Sequence, residues 1–346
     1  MSKKQTAVVI CPGRGTYNKE ELGYLARFHS DKTEMISIID HYRQAQQQPL
    51  ISELDAAPNY QMRKHTAGEN ASALIYGCAL ADFHSINLEQ YDIVAATGNS
   101  MGWYIALAVA NALTPEHAIA LINTMGSMMS DGVIGGQLIY PIVDDHWIIN
   151  NDIAASVMAQ LNEVNQVPEN EVHLSINLGG YLVFGGNKTG LKALEQSLPP
   201  VQDRYPMNLF NHAAFHTPLM NEVSAKAKTI LDSDTFTAPN IPLIDGLGNI
   251  WQPYSTNPEK LYDYTLSTQV TEQYDFSKAV EVAIKEFAPD KLIILGPGST
   301  LGGSVAQNLI KHQWLGMENK SDFIGQQKED PFVLAMGLAE QRKLVV

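Results

Sequence analysis

The chain has 346 residues, of which 45% are apolar and 17% charged, and a formal net charge of −14. That is enough apolar material for one large core, or a core plus a satellite domain, and it excludes an intrinsically disordered chain. The acidic balance, with no Lys/Arg cluster rising above it, argues against nucleic acid as a partner. No apolar run approaches the roughly 20 residues that span a bilayer, so no membrane role is expected.

In chain order, residues 6–11 (TAVVIC) read as a first core strand entering the turn Pro12-Gly13-Arg14-Gly15. This apolar stretch is shorter than the core of a signal peptide, which points to a cytoplasmic protein. Helices are expected between 19 and 83, a strand at 91–97 (YDIVAAT), and helices at 103–112 and from 117 to about 130. Alternation of this kind favours a parallel sheet covered on both faces.

The next stretch has a different rhythm: strand QLIYPIV, helix NDIAASVMAQLNEV, strands VHLSINL and YLVFGGN, helix KTGLKALEQSL and strand DRYPMNL. The order βαββαβ is the ferredoxin-like pattern, with Gly179-Gly180 turning the central hairpin. The α/β pattern then resumes with a helix around 218–231, a strand IPLIDG, helices between 258 and 287, and a strand DKLIILG. That strand ends in GPGSTLGG and opens a helix from about 303. The expected organisation is therefore an α/β-hydrolase-like large subdomain formed by 1–134 and 209–346, with a ferredoxin-like small subdomain at 135–208 inserted in it. Cys11 and Cys78 sit in apolar surroundings and read as buried structural thiols, with no disulfide framework and no metal site.

The chemistry is expected at Gly98-Asn99-Ser100-Met101-Gly102, between a strand and a helix. Two glycines let the backbone turn sharply and present the Ser100 hydroxyl, while the next backbone N–H faces any oxyanion from a helix N-terminus. A serine nucleophile needs a base. His29, His41, His65, His84, His117, His146 and His173 read as surface or core fillers. His312, in IKHQW, reads as an exposed position on the last long helix. His216, in FNHAAFHTPLM, lies where the small subdomain returns to the large one and would face the cleft between them.

These residues resemble the malonyl-CoA:acyl-carrier-protein transacylase and polyketide synthase acyltransferase family. The resemblance rests on five motifs in order: Pro12 to Gly15, Gly98 to Trp103, His216-Thr217-Pro218-Leu219-Met220, Gln269 in STQVTEQYDFSKAV, and Gly296-Pro297-Gly298-Ser299-Thr300-Leu301. It implies an acyl-CoA:acyl-carrier-protein S-acyltransferase of fatty-acid or polyketide synthesis working by ping-pong transfer. His216 would take the proton of Ser100, the Gln269 backbone carbonyl would hold the imidazole, and the backbone N–H groups of Met101 and Arg14 would receive the oxyanion. An acyl-CoA and the phosphopantetheine thiol of an acyl carrier protein are the implied partners, with no bound cofactor or metal and a monomer favoured.

The sequence departs from that family where the acyl group is recognised. Met125 stands where malonyl-transferring members carry a carboxylate-binding arginine, which implies an acyl group without a free carboxylate, or one recognised in another way. Arg14 replaces a glutamine and offers a guanidinium either to a carboxylate from another wall or to the oxyanion hole. Asn99 stands beside the nucleophile in place of histidine, Trp103 in place of glutamate, and Phe215 takes a position tied to acyl choice. An acyl hydrolase on the same fold, editing stalled carrier-bound chains with water, is the competing reading. Docking of an acidic carrier would need a local basic patch, for which Lys188, Lys192, Arg204 and Lys278 are candidates by position.

Overall fold

The computed structural model describes residues 3–128, 132 and 134–346. Eleven strands are assigned in it: β1 (Gln5–Cys11), β2 (Tyr91–Gly98), β3 (Gly136–Pro141), β4 (Val172–Leu178), β5 (Tyr181–Gly186), β6 (Met207–Asn208), β7 (Leu243–Ile244), β8 (Ile250–Trp251), β9 (Tyr274–Asp275), β10 (Lys291–Ile294) and β11 (Val333–Ala335).

Six strands form one sheet in the order β11-β10-β1-β2-β7-β8, parallel throughout except for the β7–β8 edge pair. The run Ala7-Val8-Val9-Ile10-Cys11 is fully buried, as a central parallel strand with both faces covered requires. Burial also pushes the Cys11 thiol far up, which leaves it protonated and inert. Helix Gly68–Phe83 is buried on every side from Asn70 to Asp82, so it belongs inside the large core and has no solvent face.

The other five strands form the sheet β6-β3-β5-β4-β9. Its first four members follow the ferredoxin-like order, with β3 antiparallel to both β5 and β6, β4 antiparallel to β5, and a two-residue turn at Gly179-Gly180 joining β4 to β5. Helices Asn151–Val164 and Lys188–Ser197 give it a separate core around Leu138, Phe184, Val157, Leu161, Leu191 and Leu194.

The division at 135–208 is nevertheless incomplete. Strand β9, from the second half of the chain, pairs in parallel with β4, and the helix that follows it, Phe276–Phe287, packs on both β2 and β4. The two layers thus share an element that the sequence places wholly in one of them. Local differences are smaller. The expected strand around DRYPMNL shrinks to Met207–Asn208, and the expected helix at 117–130 runs Pro115–Ser127, with 129 and 130 outside the described residues.

Candidate active site

Strand β2 ends at Gly98 and the helix Gly102–Val109 starts four residues later, which forces Ser100 into a left-handed conformation with φ +55°. A non-glycine residue held there costs on the order of 1–3 kcal/mol, offset by the bonds on either side. Asn99 N–H donates to the Cys11 carbonyl at 3.1 Å, and Gly102 N–H to the Asn99 carbonyl at 2.8 Å. Gly98 and Gly102 are required sterically. A Cβ on Gly98 would collide with the Gly102 backbone, and one on Gly102 with the Cys11 carbonyl.

The Ser100 hydroxyl lies 2.7 Å from His216 Nε2, and His216 Nδ1 lies 2.5 Å from the Gln269 carbonyl oxygen. A carbonyl only accepts, so Nδ1 carries the proton and the Nε2 lone pair faces the serine. Burial pushes the imidazole down to about 4, against the opposing pull of the Gln269 carbonyl, and it is therefore neutral at neutral pH. His216 too has a positive φ, +59°, and its own N–H donates to the Val270 carbonyl at 2.8 Å. The loop before it hangs on a chain from the small sheet. His212 Nδ1–H donates to Gln137 Oε1 (2.9 Å), Gln137 Nε2 to Ser175 Oγ (2.8 Å), and Ser175 Oγ–H to the Phe215 carbonyl (2.8 Å).

Ser100 opens on a cavity of about 30 Å³ lined by Arg14, Ser72, Met101, Tyr104, Ile122, Met125, Gly126, Phe215, His216 and Gln269. Seven of the nine residues singled out from the sequence therefore meet at one place, Trp103 and Asn99 staying outside the lining. Asn99 sits beside the nucleophile without lining the cavity. Its backbone follows the end of β1, and its side chain lies over Gly13.

Arg14 is half-buried. Its Nη2 donates to the Asn211 carbonyl at 2.8 Å and to the Thr66 carbonyl at 3.3 Å. Burial lowers it to about 10, partly countered by Glu69, so it stays cationic at neutral pH. Trp103 is fully buried, donating from Nε1 to Thr265 Oγ1 at 3.0 Å.

Sequence reasoning missed Ser72, Tyr104, Ile122 and Gly126. The available signal was helical spacing, since Ile122 and Gly126 lie three before and one after Met125 on one helix. Another unforeseen residue holds that wall in place. Fully buried Arg43 donates to the carbonyls of Pro49 and Glu69 and to the side chains of Asn70 and Asn123, tying three helices together. His312 does not serve the dyad, and it is half-buried where an exposed position was expected. Of the four basic candidates, Lys278 is paired with Glu281 at 3.2 Å and Arg204 lies over the Tyr205 ring.

No protein-family model matches the chain. It is 24% identical over 210 residues to the malonyl CoA-acyl carrier protein transacylase of Bacillus subtilis, a match taking in 60% of this chain but only 62% of that protein's length. Its fold matches the malonyl-CoA:acyl carrier protein transacylase of Xanthomonas oryzae with a TM-score of 0.76 at 15% identity, over 99% of this chain and 98% of the other. The chain is similar to malonyl-CoA:acyl-carrier-protein transacylases in part of its sequence and in its fold. A further fold neighbour is a type II polyketide synthase malonyl-transacylase solved with its acyl-carrier protein (TM-score 0.73, 17% identity, 99% of both chains). These relatives bear out the α/β architecture with its second, smaller layer. Among the described residues no helix is long and apolar enough to cross a membrane.

Proposed function

We propose that the protein transfers an acyl group from an acyl-CoA through an acyl-Ser100 ester to the phosphopantetheine thiol of an acyl carrier protein. The observation that carries this reading is the alignment of Ser100, neutral His216 and the Gln269 carbonyl at the mouth of a small apolar cavity. His216 Nε2 takes the Ser100 proton as the oxygen attacks the thioester carbon. The oxyanion falls to the backbone N–H of Met101, at a helix N-terminus where such groups have no intrahelical acceptor, and to that of Arg14. Collapse expels CoA as its thiol, with the proton returned from His216, and the carrier thiol reverses the sequence.

The acyl group we assign to the site is short and carries no free carboxylate. Met101, Tyr104, Ile122, Met125 and Phe215 give the cavity apolar walls, and 30 Å³ is the room of about two water molecules at ~10–15 Å³ each. Arg14, the one cationic side chain among the lining residues, donates to two carbonyls from Nη2 and keeps a buried Nε–H without a partner. A carboxylate would have only Arg14 to pair with, against apolar walls on the other sides, and one buried without a partner costs several kcal/mol.

The test is to supply acetyl-CoA with and without a holo carrier protein. Transfer is expected, seen as acyl-carrier mass, with little free acid released when the carrier is omitted. Rapid release of acid without a carrier would make the protein a hydrolase instead.

A further inference from the structure

Gln269 does two things at once. Its backbone carbonyl accepts from His216, and its side-chain Nε2 donates 3.1 Å to the backbone carbonyl of Ser100. One residue therefore bonds both halves of the dyad, each of which sits at a positive φ that the surroundings must maintain. The amide is itself oriented, because Tyr104 O–H donates 2.7 Å to Gln269 Oε1. The Ser100 carbonyl cannot donate, so only one amide orientation satisfies both contacts. Tyr104 and Gln269 are 4% and 2% exposed, so their contact is shielded from bulk water. Tyr104 lies four residues after Ser100, one turn along the helix that the elbow opens.

We infer that Tyr104 is a positioning residue: its hydroxyl fixes the Gln269 amide, and the amide holds Ser100 and His216 in register for proton transfer. The inference rests on the reading of Ser100 as an activated nucleophile. It predicts that removing one buried oxygen, without touching the dyad, slows the serine. A misplacement of about 1 Å costs up to ~10²-fold in rate.

A fluorophosphonate tests this without any choice of acyl group. Ser100 Oγ forms a bond to phosphorus, fluoride leaves, and the serine proton passes to His216 Nε2. The maximal inactivation rate and the half-saturating probe concentration are measured for wild type, Tyr104→Phe, Gln269→Met and the double variant, with thermal midpoints alongside. Tyr104→Phe is expected to cut the maximal rate about 10-fold or more at an unchanged half-saturating concentration. The double variant should be no slower than Gln269→Met alone, because Tyr104 acts through that amide. A Tyr104→Phe rate equal to wild type, whatever its midpoint, overturns the inference, as do losses that multiply independently. Should Gln269→Met not fold, the Tyr104→Phe rate alone decides. A wild-type protein that does not react at all rejects the nucleophile reading itself, an outcome distinct from fast reaction by every variant.

Discussion

The two ends of the cavity are built on opposite principles. At the dyad end nearly every polar group has an assigned partner: Ser100 with His216, His216 with Gln269, Gln269 with Tyr104, and Tyr274 O–H with the Gly98 carbonyl at 2.5 Å. At the acyl end Ile122 and Met125 present only carbon and sulfur, brought in by the close crossing of helices Gly68–Phe83 and Pro115–Ser127. That crossing needs the bare backbones of Gly68 and Gly126. Directional bonds fix reactivity, and non-directional packing fixes what fits. The two properties should respond to mutation separately.

The largest separation is expected at the nucleophile. Ser100→Ala should reduce transfer on the order of 10⁶-fold while circular dichroism and thermal midpoint stay unchanged. His216→Ala should cost about 10²–10⁴-fold by the same transfer assay. Gly102→Ala attacks the scaffold under the dyad, because its methyl would meet the Cys11 carbonyl. It should lose about 1–3 kcal/mol in a denaturant titration, together with activity. Met125→Arg probes the other end. It should leave the fluorophosphonate rate near wild type while shifting acylation toward malonyl-CoA over acetyl-CoA by roughly 10-fold or more, about 1.4 kcal/mol. A loss of fluorophosphonate reactivity in that variant would show that the ends are coupled. The smallest effect is on pH. His216 works as a base only when neutral, and burial holds it at about 4. Acylation should therefore stay level from pH 8 to about 5 and decline only as pH falls toward that value.

What the sequence made legible follows the same divide. The elbow is a local feature: a strand, two obligatory glycines and a helix within a dozen residues, so Ser100 was visible at once. His216 was visible because it sits where one layer hands over to the other, and Gln269 only through the family resemblance. Asn99 is next to Ser100 in the sequence but outside the cavity lining, since in so tight a turn the neighbour of the serine follows the strand backbone. Tyr104 and Ser72 were hidden because an apolar helix gives no sign of which turn faces a cavity. Strands β8, β9 and β11 have two or three residues each, too few to show any period, and β9 joins the small sheet through a pairing about 100 residues away in sequence. Arg43 breaks the rule that arginines lie outside, and only the carbonyls gathered around it explain why.

The most direct test of the central claim is the intact mass of the protein after brief exposure to acetyl-CoA and, separately, to malonyl-CoA, with Ser100→Ala as the control. An acetyl adduct on wild type, absent from Ser100→Ala and exceeding any malonyl adduct, is the predicted result. An adduct that persists in Ser100→Ala, or a malonyl adduct dominating in wild type, would contradict the nucleophile and the apolar cavity respectively.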